Sequence, residues 1–197
     1  KSTMLGLLGV LDLPTDGAIR VRGTDVTRLA DAERSRLRGE AIGFVFQQFH
    51  LIPHLTALGN VETALLYRGL TPRERRSRAM SALEQVGLGE RHDHRPVQMS
   101  GGEQQRVAIA RAISTDPGVV LADEPTGALD SRNAENVMQI FADLQSPERA
   151  ICIVTHDMDV ADATRRRISM LDGKIVADEM LGGPSGGLAE TGAGAGS

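Results

Sequence analysis

Apolar and polar residues follow two different periods along the chain, which together predict alternating helices and strands. Leucines at a three-to-four spacing predict a helix over residues 2–11. Short apolar runs rich in β-forming residues predict buried strands at 41–47, 118–125 and 150–157. Within the last two, residues 119–122 and 151–154 are apolar throughout, which is typical of a parallel sheet covered by helices on both faces. The predicted fold class is therefore α/β.

Residues 48–112 carry little strand signal and look like a helical insertion. Helices are predicted there at 57–68, 72–87 and 103–115. The second begins at Thr71-Pro72, where proline suits the first helical position. We therefore predict a parallel-sheet core formed by residues 1–47 and 113–181, with residues 48–112 as an inserted α-helical subdomain.

The remaining elements complete the alternation. A charged helix is predicted over residues 31–39, ended by Gly39, and two further helices over 131–145 and 158–164. Two short strands around an Asp-Gly turn are predicted over 167–179. From Gly182 to Ser197 the chain is rich in glycine, serine and alanine, so we expect a disordered tail after a folded domain of residues 1–181.

Composition narrows the class of protein. The 197 residues suffice for one domain with a subdomain. A net charge of −4 argues against a nucleic-acid-binding surface, so no nucleic-acid partner is expected. Cys152 is the single cysteine, which excludes an internal disulfide and fits a reducing compartment. Because the sequence contains no apolar run of roughly 18–20 residues, work at a membrane would require a partner that holds the protein there.

The segment VVLADEPTGALD places two acidic residues at the end of a predicted strand. Open α/β sheets bind ligands at the carboxyl ends of their strands. Adjacent carboxylates are costly to bury there unless a cation or a reacting water uses them. One interpretation is that Asp123 helps to hold Mg²⁺ and Glu124 polarises a water. The alternative is a solvated strand end followed by a proline turn.

The segment MSGGEQQRVAIARA begins a predicted helix. Ser100 and Glu103 have the spacing of a capping box, so an ordinary capped helix accounts for both. It does not account for Gly101 and Gly102, because each glycine costs a helix about 1 kcal/mol relative to alanine. Glycines are favoured where backbone N–H groups must approach an anion closely, and phosphate is the natural candidate.

Three other positions are weak signals by themselves and indicate a function only in combination with the two segments above. His156 follows a buried strand, where a lone histidine is more often structural, but the predicted sheet brings it to the same edge as Glu124. Gln47 could ligate Mg²⁺ or orient a water, although a polar strand end is the simpler explanation. The opening Lys1-Ser2-Thr3, followed by an apolar helix, matches the second half of a phosphate-binding loop.

Taken together and in their order along the chain, these segments resemble the nucleotide-binding subunit of ATP-binding cassette (ABC) transporters over residues 1–179. MSGGEQQRVAIARA is similar to the ABC signature, and VVLADEPTGALD to the Walker B motif with the D-loop. Gln47 matches the Q-loop glutamine, His156 the switch histidine, and the opening tripeptide the end of Walker A. The resemblance implies a P-loop NTPase core of the RecA-like type that hydrolyses ATP with Mg²⁺.

The resemblance also implies roles for single residues in the chain's own nucleotide site. Lys1 would bind the β- and γ-phosphates, Ser2 would bind Mg²⁺, and Thr3 would lie near the α-phosphate. Gln47 would contact both the nucleotide and the metal, and Asp123 would bind Mg²⁺ through water.

Two further residues would act on the reaction itself, and others would act across a dimer. Glu124 would be the general base, and His156 would sense the γ-phosphate. The run from Ser100 through Gly101 to Gly102 would contact ATP held by the opposite subunit, which implies a head-to-tail homodimer or pseudo-symmetric dimer. Asp130 would lie at that dimer interface.

A narrower resemblance concerns GFVFQQFHLIPHLTALGNV and LADEPTGALDS, which are similar to lipoprotein-release and macrolide-export ATPases. That subgroup partners with transmembrane permeases carrying a large extracytoplasmic domain, which implies a cytoplasmic subunit on the inner face of the cell membrane. Because the front of Walker A is missing, we expect the chain to be truncated within that loop and therefore to bind ATP poorly.

Two alternatives to a transport ATPase are a DNA-repair or chromosome-maintenance ABC ATPase and a non-catalytic regulatory homologue. The former class places a long coiled coil or a zinc module between the Q-loop and the signature. Only 53 positions separate Gln47 from Ser100, without heptads or a cysteine pair, which favours transport. The presence of both Glu124 and His156 argues against a non-catalytic protein.

Overall fold

The computed structural model describes residues 2–181, and for Ser2 only the backbone. Lys1 and the predicted tail at 182–197 lie outside the described residues. The helices are α1 (Ser2–Leu8), α2 (Asp31–Ala41), α3 (Ala57–Thr63), α4 (Pro72–Gln85), α5 (Gly101–Ile113), α6 (Ser131–Leu144) and α7 (Met158–Asp162). The strands are β1 (Arg20–Val21), β2 (Thr24–Asp25), β3 (Ile42–Val45), β4 (Val119–Asp123), β5 (Ala150–Val154), β6 (Arg166–Leu171) and β7 (Lys174–Met180).

The chain divides into two compact units, residues 1–156 and 157–197. The first is built around a parallel sheet in the order β3-β4-β5. Ala122 of β4 lies opposite Val45 on one side and Ile153 on the other, so the three strands end at the same edge. The parallel α/β sheet predicted from the sequence is confirmed.

Successive residues of β4 face opposite sides of this sheet, as the strand period requires. Val120 and Ala122 belong to a core that includes apolar residues of α3, α4, α5 and α6. Leu121 belongs to a second core, which includes Leu5 of α1 and Ala41 of α2. Helices therefore cover both faces, which explains why β4 is apolar from Val119 to Ala122.

The prediction that Gly39 ends α2 is wrong. The helix continues to Ala41, which is buried in the second core, and β3 begins at the next residue. The N–H of Ile42 donates to the carbonyl of Arg38, which closes the last turn. Burial of Ala41 therefore outweighs the weak helix propensity of glycine.

Residues 48–112, all of which the structure describes, contain α-helices α3 and α4, two short 3-10 helices and most of α5, and no strand. Thr71 caps α4: its hydroxyl accepts from the N–H of Glu74, and the Glu74 carboxylate accepts from the N–H of Thr71 at 2.8 Å. Apolar residues of α3, α4 and α5 share one core with Val45 and Val120 of the sheet. The division into a sheet core and a separate helical subdomain stays a prediction, and α5 crosses the boundary proposed at 112.

The second unit contains α7 and an antiparallel hairpin of β6 and β7. Asp172 and Gly173 at the turn both have positive φ, 48° and 77°, which is the geometry of a tight hairpin turn. Charge pairs bridge the two strands, among them Arg166 with Asp178 and Arg167 with Glu179. Between residues 2 and 181, no helix is both long and apolar enough to cross a membrane.

Candidate active site

Glu124 follows β4 directly and adopts a left-handed backbone conformation, with φ of 46°. Such a conformation in a residue other than glycine costs about 1–3 kcal/mol, and strain of this kind concentrates at functional sites. Two backbone bonds hold the turn: the N–H of Glu124 donates to Val154 at 2.8 Å, and its carbonyl accepts from Gly127 at 3.1 Å. The turn is therefore fixed between the ends of two strands.

The Glu124 carboxylate is mostly enclosed, and two side chains from the end of β5 contact it. Oε2 accepts a hydrogen bond from the hydroxyl of Thr155 at 3.0 Å, and Oε1 lies 2.8 Å from Nδ1 of His156. The Glu124 side chain is 19% exposed, whereas that of His156 is 79% exposed. Because a carboxylate accepts, Nδ1 is assigned as a protonated nitrogen in this contact, and Nε2 is the ring nitrogen that Glu124 does not engage.

The sequence predicted that Glu124 and His156 meet at one sheet edge, and the structure brings them together. It did not identify Thr155. The available signal was position alone, because Thr155 lies between the last residue of β5 and His156.

Gln47 and Asp123 reach the same region from neighbouring strands. Asp123 is the last residue of β4, and Gln47 follows β3 by two positions. The amide of Gln47 packs against Gly127: a Cβ at that glycine would lie 2.9 Å from Nε2. The carboxyl ends of β3, β4 and β5 therefore gather Gln47, Asp123, Glu124 and His156.

The oxygen groups here suit a magnesium ion that is shared with a substrate. Across the described part of the chain, no three histidine, cysteine or acidic side chains form a metal-binding cluster. Mg²⁺ often needs no such cluster, because it binds through one or two protein oxygens and the phosphates of its substrate. Asp123 and Gln47 fit that mode of binding, whereas the predicted ligand Ser2 has no described side chain.

The predicted phosphate-loop residues lie at the start of α1. Thr3 is exposed in the first turn of this helix, and Leu5 anchors the helix in the core that contains Leu121 of β4. Lys1 lies outside the described residues. Contacts of Lys1 and Ser2 with phosphate therefore stay a prediction.

A second group of candidate residues surrounds the beginning of α5. Ser100 caps this helix: its hydroxyl accepts from the N–H of Glu103 at 3.2 Å, and its N–H donates to the Glu103 carboxylate at 2.8 Å. The bond from the Ser100 N–H lowers the pKa of Glu103 below its usual value, with a smaller contribution from nearby Arg91. The predicted capping box is confirmed.

Glycine occurs twice in the first turn of α5, and the structure explains the two positions differently. A Cβ at Gly102 would lie 2.3 Å from Oδ1 of Asn133, so close packing against α6 requires glycine there. A Cβ at Gly101 would meet its nearest neighbour, Leu129, at an ordinary 3.7 Å. Packing therefore explains Gly102, and only the exposed Gly101 still needs another explanation, such as close approach of an anion.

Asn133 also joins this turn to Asp130. The Asp130 carboxylate caps α6 by accepting from the backbone N–H of Asn133 at 2.9 Å and from its side-chain amide at 2.7 Å. These bonds lower the pKa of Asp130. Asn133 was not identified from the sequence, because its role depends on packing between helices that are distant in the chain.

Comparisons with known proteins agree with this arrangement. The profile of the ABC transporter family matches residues 1–127. A macrolide export ATP-binding/permease protein, MacB 1/2, from Paracoccus denitrificans is 51% identical over 185 residues, covering 94% of this chain and 28% of the relative. An uncharacterized ABC transporter ATP-binding protein from Thermotoga maritima is 46% identical over 182 residues, covering 92% of this chain and 78% of the relative.

A solved structure of the ATP-binding cassette MJ0796, described as a dimeric post-hydrolysis state bound to ADP and Pi, superimposes with a TM-score of 0.81 at 45% identity. It covers 92% of this chain, which in turn covers 81% of the cassette. The chain spans less than a third of the length of the macrolide exporters it matches. Both named relatives are transporter proteins, which favours transport over a role in DNA repair.

Proposed function

The chain belongs to the ABC transporter family, and on that premise we propose that it binds and hydrolyses ATP to power a membrane permease. The permease would be of the export type or would extrude lipoproteins, peptides or drugs. The observation that carries the proposal is the pairing of Glu124 with His156 and Thr155 at the carboxyl edge of the parallel sheet. Such an edge is where α/β sheets bind their substrates.

In this proposal Glu124 is the general base. Its carboxylate accepts the proton of a water that attacks the γ-phosphorus in line with the departing ADP oxygen. Thr155 and His156 hold the carboxylate in one orientation, which reduces the cost of positioning it for the reaction. When both ring nitrogens of His156 carry protons, its Nε2–H would donate to an oxygen of the γ-phosphate.

The phosphates would be held by residues of the chain's own nucleotide site. Lys1 would bind the β- and γ-phosphates and Thr3 would lie near the α-phosphate. Ser2, Gln47 and Asp123 would hold Mg²⁺, which supplies neutralisation of the negative charge that develops on the phosphate oxygens.

A second copy of the chain, or a closely similar one, would complete each site. Ser100 and Gly101 are exposed at the beginning of α5, where backbone N–H groups favour an anion. Together with Gly102 they would contact the ATP held by the opposite subunit, with Asp130 at the interface. The dimeric state of the similar MJ0796 cassette supports this arrangement.

The membrane partner is inferred from the relatives. The Paracoccus relative is named as an ATP-binding protein and a permease in one chain, and its similarity to this chain supports a permease partner. The chain would then act as a peripheral subunit on the cytoplasmic face of the cell membrane. With a net charge of −4, no nucleic-acid partner is proposed.

Phosphate release from ATP tests the proposal. The full-length protein encoded by the gene should release phosphate with Mg²⁺ and stop when EDTA removes the metal. Asp123→Asn should raise the Mg²⁺ concentration needed for half-maximal rate, because a carboxylate ligand is lost. Metal-independent turnover, or no turnover even with the permease present, would contradict the proposal.

A further inference from the structure

Gln105 is a polar residue with no exposed surface, one turn beyond the glycines of α5. Polar side chains so deeply buried are normally retained because they make hydrogen bonds that nearby groups need. Gln105 has no part in the predicted capping box or in the predicted nucleotide contacts. Its burial therefore calls for a separate explanation.

The side-chain amide of Gln105 donates to two backbone carbonyls on different loops. Nε2 lies 2.6 Å from the carbonyl oxygen of Pro125 and 3.4 Å from that of Phe46. Both partners are acceptors, which fixes the orientation of the amide with the nitrogen towards them. Within residues 2–181, the other amide atom, Oε1, has no hydrogen-bond partner. The donor alone therefore accounts for a glutamine at this position.

The two carbonyls belong to the loops that carry the candidate catalytic groups. Pro125 directly follows Glu124, and Phe46 directly precedes Gln47. A second side chain of α5, Arg111, supports the Gln47 loop farther on, donating to the carbonyls of Phe49 at 3.0 Å and His50 at 2.7 Å. Helix α5 thus begins with the signature segment, and its side chains hold the loops that carry Glu124 and Gln47.

We propose that Gln105 is a positioning residue for hydrolysis, which holds the Glu124–Pro125 turn and the Gln47 loop in fixed relation to the signature helix. The inference rests on the proposed function, in which Glu124 is the base. The Glu124 turn is strained and its carboxylate must meet a water within hydrogen-bond reach. Loss of the bond to Pro125 lets the turn relax and moves the carboxylate away from the attacking water.

Steady-state ATP hydrolysis by the full-length protein tests this role through Gln105→Met, which keeps the length of the side chain and removes the donor. The expected result is a kcat lower by about 10–100-fold, since small displacements of a catalytic group have effects of that size. The Kd for ATP should change little, and circular dichroism should show a folded protein, although its unfolding temperature falls because two backbone carbonyls lose their buried donor. Gln139→Met is the matched control, because the Gln139 amide is exposed and donates to Asp143 in the next turn of its own helix.

The double variant with Glu124→Gln separates positioning from a general structural effect. If Gln105 acts through Glu124, Gln105→Met should cause no further loss of rate once Glu124→Gln is present. A wild-type kcat for Gln105→Met, or an equal loss of rate in both backgrounds, overturns the inference. If Glu124→Gln itself retains wild-type turnover, the proposed function fails instead.

Gln105→Glu provides an independent readout should Gln105→Met fold poorly. A protonated carboxyl group can still donate to Pro125, whereas a carboxylate is repelled by the two carbonyl oxygens. The kcat of this variant, divided by that of the wild type, should therefore fall as the pH rises. A ratio that stays constant with pH, in a protein shown to be folded by circular dichroism, overturns the inference.

Discussion

Single side chains decide how the first turn of α5 is built. Gly101 and Gly102 are equivalent in the sequence, where both suggested close approach of a phosphate. In the folded chain, a Cβ fits at Gly101 but collides with Asn133 at Gly102. The sequence cannot make this distinction, because it depends on a side chain of α6 that lies about thirty positions away.

Gly102→Ala should therefore destabilise the protein by about 1–3 kcal/mol, as overpacking does in well-packed regions. Gly101→Ala is the matched control, and it should leave stability unchanged or raise it slightly because alanine favours a helix. Urea denaturation followed by circular dichroism measures both. Adding Asn133→Ala to Gly102→Ala should restore part of the loss, and equal stability of the two glycine variants would contradict the packing explanation.

The residues that the sequence identified and those that it missed differ in a physical way. Glu124 and His156 were identifiable because chemistry-bearing side chains at the ends of predicted parallel strands must meet at one edge. Thr155, Asn133 and Gln105 were missed because each acts through an acceptor or a neighbour on another element. Their partners become apparent only when the packing of the elements is known.

At the scale of elements, apolar periodicity predicted the strands of the sheet correctly but misplaced the ends of some helices. Strands β3, β4 and β5 lie where apolar runs predicted them, because central strands must be apolar on both faces. The end of α2 differs from the prediction because Ala41 is buried in a core that local sequence does not reveal. The helix predicted over 57–68 is regular only to Thr63.

Asn60 shows how one element can fix a neighbouring loop. This residue of α3 has no exposed surface, and its amide bonds to the backbone of Ile52, Leu55 and Thr56, with Oδ1 accepting from the N–H of Ile52 at 2.7 Å. Asn60→Leu should lower the free energy of unfolding by about 2–4 kcal/mol, because backbone groups are left buried without partners.

Asn136→Leu is the matched control for this substitution, since Asn136 lies on the exposed face of α6. It should change stability by less than about 0.5 kcal/mol, as is usual for surface positions. Urea denaturation of the two variants provides the comparison. Similar stabilities would show that the amide of Asn60 is not needed to hold the loop.

At the scale of the whole molecule, the chain carries two separate groups of candidate residues. One gathers at the carboxyl edge of the sheet around Glu124, and the other lies at the exposed beginning of α5 around Ser100. In the proposed head-to-tail dimer, each nucleotide contacts the first group of one copy and the second group of the other. Neither group then forms a complete site within one chain.

Mixing two inactive full-length variants tests this division. Ser100→Arg should block the signature and Glu124→Gln should remove the base, so each protein alone should be inactive. Together they should recover roughly a quarter of the wild-type rate, because random exchange makes half of the dimers mixed and each mixed dimer has one intact site. Phosphate release after subunit exchange measures this, and no recovery in demonstrably mixed dimers would indicate sites completed within one chain.

The proposed hydrolysis of ATP depends most on Glu124, the group that activates the attacking water. The most direct measurement compares ATP turnover and ATP binding in the full-length wild type and its Glu124→Gln variant, which is of nearly the same size and cannot accept the proton. Turnover should fall by at least about 100-fold, within the range for loss of a general base, while the Kd for ATP stays within a few-fold. Wild-type turnover by Glu124→Gln would contradict this role.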